Sequence, residues 1–534
     1  MLAAAMTTRT LTIGQGTYPL VLPSIRDPRL HVASVIITVH VLGQVGLGFW
    51  VSVPQILGAI LTCWVLEVGI TFRQTKAFVW PASAMLTGSG VALILRVVGT
   101  PPGEPWSFYA VEVFAVVAGL SLLSKYVVKW RGSHVFNPSN VGLVVAFVVL
   151  GSTRVEPLDF WWAPLSNLAM VAAYAVIIAG GLLITRRLKL LGLAASFWLA
   201  LAVGVGLLSA SGHCINTRWS FAPVCGVDFF RTILTSPEVL IFLFFMITDP
   251  KTVPAGQVGR IVFGVLVAAV STLLMAPQTD EFWTKVGLLA GLVILSALRP
   301  MIERFVPEPR SEADDLRRFA RGLLAGGDGT AGGAVRAARA GVAAFAVLAL
   351  GAGIVAAGAP ARGFIAPDSS EVLNRLPQQV DPATIPAVAA GQDVIERLGG
   401  SSIDEVVVTL AQNLELENQA LLARDGTILT AVDHGDRLRE MQGRLDQARD
   451  SGTVIVEHYR FDTLSARLLI PFGVQDGFSV GLDGSGTMLR ERYDAAGRLL
   501  STEEVPFSNT FAVRRATGAR WLNIGVLPIG DATG

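Results

Sequence analysis

The chain has 534 residues, 52% of them hydrophobic and 16% charged, with a mean hydropathy of +0.56. That balance excludes a soluble protein of this length: windows of about 17–20 apolar residues recur along the first two thirds, as lipid-spanning helices require. A net charge of +1 gives no basis for a nucleic-acid partner, and three cysteines exclude a disulfide scaffold.

Residues 1–30 form a polar segment broken by Pro23 and Pro28, without the compact apolar run that a cleavable signal peptide needs. Eleven apolar stretches follow, near 33–50, 54–72, 81–98, 108–124, 139–152, 164–184, 188–209, 232–248, 258–276, 283–298 and 340–359. Cations gather in alternate connections. These are Arg73 and Lys76; Lys125, Lys129 and Arg131; Arg186, Arg187 and Lys189; Lys251 and Arg260; then Arg299, Arg304 and the arginines up to Arg339. The opposite loops carry Glu104, Glu156, Asp159, Asp280 and Glu281, with Arg154, Arg218 and Arg231 as exceptions. The charge bias predicts a multi-pass protein of the plasma (inner) membrane, with a cytoplasmic N-terminus and an extracytoplasmic C-terminal domain. The lipid bilayer is its first partner.

The third stretch opens on a run of small residues, Pro81 to Gly90. The eighth carries Thr235-Ser236-Pro237 near its start and stops at Thr248-Asp249-Pro250. A helix cannot continue through Pro250, and its last carbonyls lose their partners. If residues 31–304 hold ten helices, the third and eighth fall at corresponding places in two halves of five. Five is odd, so the second half is inverted. Paired interruptions in inverted halves point to a binding site near the midplane; the alternative is that Gly and Pro are simply commoner in membrane helices. The predicted fold is a polytopic α-helical membrane protein: a ten-helix core in two inverted five-helix halves, then an eleventh helix at 340–359. A cytoplasmic linker at 305–339, rich in Arg, Gly and Ala and lacking apolar periodicity, joins them.

A Pro/Ala linker, 360–390, leads to an α+β domain at 391–534. Helical spacing over Ile403–Leu422 precedes alternating runs at Thr453–Phe461, Ala466–Phe472, Phe478–Leu482, Thr487–Tyr493, Gly497–Val505, Thr510–Arg515 and Arg520–Leu527, bounded by Gly-Ser, Asp-Gly and Ala-Gly turns. That order suits a curled antiparallel sheet behind a helix.

Before the fifth stretch, in His134-Val135-Phe136-Asn137-Pro138-Ser139-Asn140, Asn137 caps a helix that Pro138 begins. Ser139 and Asn140 add polar groups beside free amide N–H donors, suited to an anion or a polar ring edge. A plain capped helix start has the same pattern. By the charge count Thr248 and Asp249 lie on the same side, so these five residues, with Thr87 and Ser89, form a candidate shared site. Glu67 and Glu112, inside the second and fourth stretches, read as a proton or sodium route or as interhelical hydrogen bonds of protonated glutamates. His40 and Gln44 lie inside the first stretch. Cys214 and Cys225 share one outer loop and read as a disulfide or as two free thiols; Cys63 reads as a small buried hydrophobe. Trp161, Trp162 and Trp283 suit an interfacial belt. Gly-x-Ser-x-Gly, Walker and His-Glu-x-x-His patterns are missing, no cluster has metal-ligand spacing, and His434 and His458 read as lone surface or structural histidines.

Three elements occur in a telling order: the small-residue run at 81–90 leading to Pro101-Pro102 and Pro105-Trp106, then Phe136-Asn137-Pro138, then Phe245-Met246-Ile247-Thr248-Asp249-Pro250. Together, over about 30–305, they resemble the D subunit of the Rnf electron-transport complex and the B subunit of the sodium-pumping NADH:quinone oxidoreductase. The resemblance implies the ten-helix inverted fold, flavin binding, and electron transfer alongside other membrane or redox subunits. Electron-carrying members attach FMN to the threonine of a Ser/Asp-Gly-Ala-Thr motif. This chain lacks it: Thr87-Gly88-Ser89-Gly90 and Arg515-Ala516-Thr517-Gly518 have the wrong order or place, and Thr153 and Thr217 the wrong context. That argues against covalent flavin and leaves FMN or riboflavin held noncovalently. The C-terminal domain resembles nuclear-transport-factor-2-like domains, and its presence fits the family branch that accompanies enediyne biosynthesis. Two competing readings are a small-solute transporter or channel, and a membrane scaffold with an outer partner-binding domain.

Overall fold

A computed structural model describes residues 6–13, 15–47, 49–98, 100, 104–152, 154–158, 167–215, 217, 224–325, 333–362, 386–391, 394–395, 398, 402–469, 477–516 and 520–528. The polar N-terminal segment folds as a hairpin, Met6–Ile13 (β1) against Gly16–Pro23 (β2), and β2 adds Phe78–Val79 (β3) in parallel. Tyr18 seals it on Phe72 and Phe78, with ring centroids 5.4 and 5.9 Å away.

Helix Pro28–Leu42 (α1) is capped by Asp27, which also pairs with Arg29, and runs on as a π turn, Gly43–Leu47. Val53–Thr75 (α2) starts with a Ser52/Gln55 capping box. Ala82–Ile94 (α3) passes unbroken through the small-residue run: a Cβ on Gly88 would stand 2.5 Å from the Ala59 carbonyl oxygen of α2. The small residues therefore serve close helix packing, and the helix ends only at Ile94, giving way to strand Leu95–Val97 (β4). Val111–Val127 (α4) leads through the ribbon Lys129–Trp130 (β5) and Ser133–His134 (β6) to Pro138–Leu150 (α5). Val155–Pro157 (β7) then pairs antiparallel with β4.

Leu168–Arg187 (α6) and Leu191–Ala210 (α7) follow. A Cys214–Cys225 disulfide ties Cys214–Ile215 (β8) to Val224–Cys225 (β9). Gly226–Thr235 (α8) stops at Ser236, whose ψ of 141° is extended. The chain resumes as Pro237–Ile241 (α9) and a second π turn, Phe242–Met246, as the Ser-Pro pair predicts. Gln257–Met275 (α10) and Glu281–Phe305 (α11) complete the bundle.

A helix lies at each of the expected apolar stretches. Among the described residues seven spans are long and apolar enough to cross a bilayer, counting Pro28–Leu47 and Gly226–Met246 as single spans; α3 and α5 have only 13 residues each. Among helices 1 to 5, α2 packs on α3 and α4, α4 on α5, and α1 on α3. Later, α7 packs on α8 and α10, α10 on α11, and α6 on α9 and its π turn. Across these groups α1 meets α6 and α5 meets α11. A Cβ on Gly142 of α5 would stand 1.7 Å from Ser121 Oγ of α4, and one on Gly291 of α11 would stand 2.1 Å from Ser271 Oγ of α10.

The linker after α11 is not aperiodic, as its composition suggested. It carries an amphipathic helix, Leu316–Ala325 (α12), before Gly333–Ala357 (α13).

The last domain opens with Ala389–Ala390 (β10), then Ile403–Ala423 (α14), Gly426–Val432 (α15) and Gly435–Ser451 (α16). Four long strands follow: Val454–Leu469 (β11), Gly477–Tyr493 (β12), Leu499–Ala516 (β13) and Leu522–Pro528 (β14). They form one sheet in the order β10 to β14. Of the seven short runs expected here, the first six merge in pairs into β11, β12 and β13; in β12 this is because the Asp483-Gly484-Ser485-Gly486 stretch is not a turn. Gly484 makes room for the Phe461 ring, Gly486 lies against the Arg460 carbonyl oxygen, and the β11–β12 ladder shifts register once, between Phe461 and Thr463. Val480, Leu482, Phe511 and Trp521 bury against Val406, Val407, Leu410 and Leu414 of α14.

This sheet domain docks on the bundle through charge. Register sets Arg96 of β4 opposite Glu156 of β7, and the two form an ion pair. From α16, Asp436 Oδ2 meets Arg96 Nη2 at 2.6 Å, and Arg439 Nη2 meets Glu156 Oε2 at 2.6 Å while also pairing with Asp436. Trp50 covers the Arg96 guanidinium at 4.1 Å from its ring centroid, leaving the arginine side chain 1% exposed.

Candidate functional site

The β5–β6 ribbon turns through Arg131 and Gly132, both at positive φ (48° and 79°), the backbone a two-residue hairpin loop requires. The turn delivers His134 to Asp249, with Nε2 and Oδ2 3.2 Å apart. Three residues on, Asn137 caps α5: its Oδ1 accepts from the Asn140 N–H (3.2 Å) and the Ser139 hydroxyl (2.9 Å). Its Nδ2 donates to the Met246 carbonyl at 3.2 Å. In an uninterrupted α-helix residue 250 would donate to that carbonyl, but Pro250 has no N–H. The Asn137 amide supplies the missing donor, beside a long 3.4 Å bond from the Asp249 N–H. Asp249 also accepts from the Lys251 N–H at 3.0 Å. The Asn-Pro start of one helix and the Asp-Pro end of another thus satisfy each other.

Around this junction, Asn140 Nδ2 donates to the Leu289 carbonyl of α11 at 3.1 Å. Ser139 lies against Gly90 of α3, where a Cβ would stand 3.2 Å from its hydroxyl. Ser89 meets His40 Nε2 at 3.2 Å. Asn137, Ser139, Asn140, Thr248 and Asp249 are therefore brought together, and Ser89 reaches them through Gly90. Thr87 and Thr248 spend their hydroxyls on their own helices, at the Ser83 and Phe244 carbonyls. Among the residues just named, two buried atoms have no hydrogen-bond partner within the described residues: Asn140 Oδ1 and His40 Nδ1. Each would cost about 1–3 kcal/mol if left unmet. An amide acceptor and an imidazole nitrogen are open to a ligand edge that presents hydrogen-bond donors.

Glu67 and Glu112 are not brought together. Glu67, near the far end of α2, is held by Lys125 at 2.7 Å and by the Tyr126 hydroxyl. Glu112 is exposed in the first turn of α4, about 20 Å of helix from Lys125. Cys63 is buried and its thiol faces the Ala118 carbonyl. Gln44 donates to the Val51 carbonyl at 2.5 Å, and Trp283 is 38% exposed on Phe282. Pro101, Pro102, Thr153, Asp159, Trp161, Trp162, Arg218, Thr517 and Gly518 lie outside the described residues. Sequence reading missed the role of His134 and the whole Arg96 cluster. An arginine inside the expected third span was the available signal for the latter.

The class is set by the fold: a polytopic α-helical membrane segment followed by a separate domain containing a β-sheet. No family model matches the chain. It is 24% identical over 288 residues to the D subunit of the ion-translocating oxidoreductase complex of Klebsiella pneumoniae (strain 342), covering 41% of this chain and 76% of that protein. This is a distant likeness, over part of the chain, to a membrane subunit of a redox complex of the RnfD/NqrB type.

Proposed function

We propose that the chain is an RnfD/NqrB-like membrane subunit that holds a flavin or quinone ring noncovalently and serves electron transfer with other membrane subunits. The observation that carries this reading is the junction of α5 with the end of the α9 span. There Asn137 and His134 reach Met246 and Asp249 beside the buried, unmatched Asn140 Oδ1. When bound, the ring would supply the redox chemistry. The chain's own part is to fix Asn140 through the Leu289 carbonyl, and to set the His40 tautomer through Ser89.

The proposal includes two inverted five-helix halves. Its support is the repeated packing scheme of α1–α5 and α6–α11, with Gly142 on Ser121 matched by Gly291 on Ser271. It also includes a cytoplasmic N-terminus and an extracytoplasmic sheet domain, supported by the alternation of basic loops. An accessory role in enediyne biosynthesis, with a sheet domain of the nuclear-transport-factor-2-like kind, belongs to the same reading. The helices-then-sheet order supports that last part.

A visible spectrum of the purified full chain tests the core of the proposal. Flavin bands that leave the protein on acid precipitation are expected, and they should weaken in Asn140→Leu. A protein that retains neither visible flavin bands nor ultraviolet quinone absorbance after each has been offered would sink the reading in favour of solute transport. Asp249→Asn is expected to cost about 1–3 kcal/mol in stability together with bound flavin.

A further inference from the structure

One segment that the junction does not use is α12, Leu316–Ala325, ten residues or about 15 Å long. Leu316, Phe319 and Ala320 lie along one side of it. Arg317, Arg318 and Arg321 occupy roughly 100° of arc on the other. All three arginines are exposed, Leu316 is 44% exposed, and the one ion pair the arginines make among the described residues is Arg318 to the exposed Glu312 at 2.7 Å. It touches α10 and α13, and a helix this short does not hold in water through its own backbone.

The helix is tethered at a definite depth. Asp314, two residues ahead of it, accepts from the Gln257 and Val258 N–H groups at 3.0 and 2.9 Å, the first amides of α10. The N-cap of α10 is Gly256, which offers no side chain, and a Cβ there would stand 2.9 Å from Asp314 Oδ1. The Asp314 carboxylate therefore acts as the cap of α10 from a distance and fixes the start of α12 where α10 enters the bilayer. At the preceding end of α11, Met301 and Phe305 are 56% and 79% exposed, so the apolar surface continues there.

We propose that α12 lies in the plane of the membrane surface, its Leu316–Phe319 side at the acyl boundary and its three arginines on the phosphates of anionic phospholipids. Charge complementarity selects this occupant. A purely apolar cover would leave the arginines without counter-charge, and an acidic protein would leave the apolar side wet, whereas an anionic bilayer surface meets both at once. The tether supplies the depth, and the arginines choose the lipid.

The test uses the full chain in nanodiscs. With Cys214 and Cys225 joined and Cys63 buried, Ala320→Cys offers a single reactive thiol for a nitroxide label. In discs containing phosphatidylglycerol the label is expected at acyl depth, shielded from a water-soluble relaxant. In pure phosphatidylcholine, or after Arg317→Gln, Arg318→Gln and Arg321→Gln together, the bound population should fall by on the order of a hundredfold. The matching triple lysine variant should keep its depth, because charge and not guanidinium shape is in play. A label equally shielded in both lipids, or equally wet in both, would overturn the proposal. So would shielding that appears only when an acidic protein is added.

Discussion

Arg96→Met is the sharpest probe of how the sheet domain sits on the bundle. Methionine keeps an apolar stem for Trp50 to cover but takes a guanidinium away from two carboxylates. Glu156 and Asp436 are then left to share Arg439. In the native cluster burial opposes the charge on Asp436, while the Arg96 and Arg439 guanidiniums outweigh it and hold its carboxyl below the usual range. Breaking a buried pair by removing one partner costs about 3–5 kcal/mol. Arg439 remains and its side chain is 25% exposed, so the low end applies, about 3 kcal/mol. Hydrogen exchange of the full chain in nanodiscs reads this directly. Amides of α16 should lose about a hundredfold in protection while those of α10 keep theirs. Adding Glu156→Gln to Arg96→Met should recover much of the loss, because Asp436 and Arg439 then remain as a balanced pair. A change below about 0.5 kcal/mol for Arg96→Met, or losses that simply add in the double variant, would refute a buried clamp.

The remaining predictions concern pH, the cap and the repeated glycines. Burial, with Arg514 adding to it, pushes the His434 imidazole down to about 4; the unfolded chain therefore takes up the proton first. Stability is full above pH ~6.5 and falls as the pH drops towards 4, by up to roughly 3 kcal/mol, and His434→Gln should flatten urea midpoints measured over that range. Asn137→Ala removes both the α5 cap and the Met246 bond and should cost about 2 kcal/mol by thermal unfolding. Asn137→Ser, which keeps a capping oxygen without placing a charge on the Met246 carbonyl, should cost less. Gly142→Ala and Gly291→Ala should each destabilise by about 1–3 kcal/mol, since both force a methyl onto a serine of the neighbouring helix; a neutral result at either would break the proposed equivalence.

The helices were legible because lipid demands long apolar windows and leaves backbone no other way to pair. Asn137 as a cap and Pro250 as a stop were equally plain, each being a local matter of one amide. What joins them was not: the Met246 carbonyl accepts from a residue 109 positions away, and no local pattern encodes that pairing. The run at 81–90 was legible as small but not as to purpose, since an interrupted helix and a closely packed one use the same residues. Gly88 against the α2 backbone decides it. In the sheet domain Asp483 to Gly486 has the composition of a turn, and only the Phe461 ring filling the space over Gly484 shows that it is a strand interior. The N-terminal hairpin and α12 escaped notice because their periodicity spans too few residues to stand out beside the apolar windows.

The Arg96 cluster also imposes an order in time. Arg96 and Asp436 are 340 positions apart, so at about 5–20 residues per second roughly 20–70 s separate their synthesis. For most of that interval α3 and α5 can already be inserted, with Arg96 and Glu156 paired at the end of the bundle. Asp436 and Arg439 arrive later, and only once α16 has folded on the same side of the membrane as the β4–β7 ladder. Insertion of the helices and completion of the bundle are therefore separate events. A nascent chain halted before α16 would carry all its spans while still lacking half of the charges that close their end.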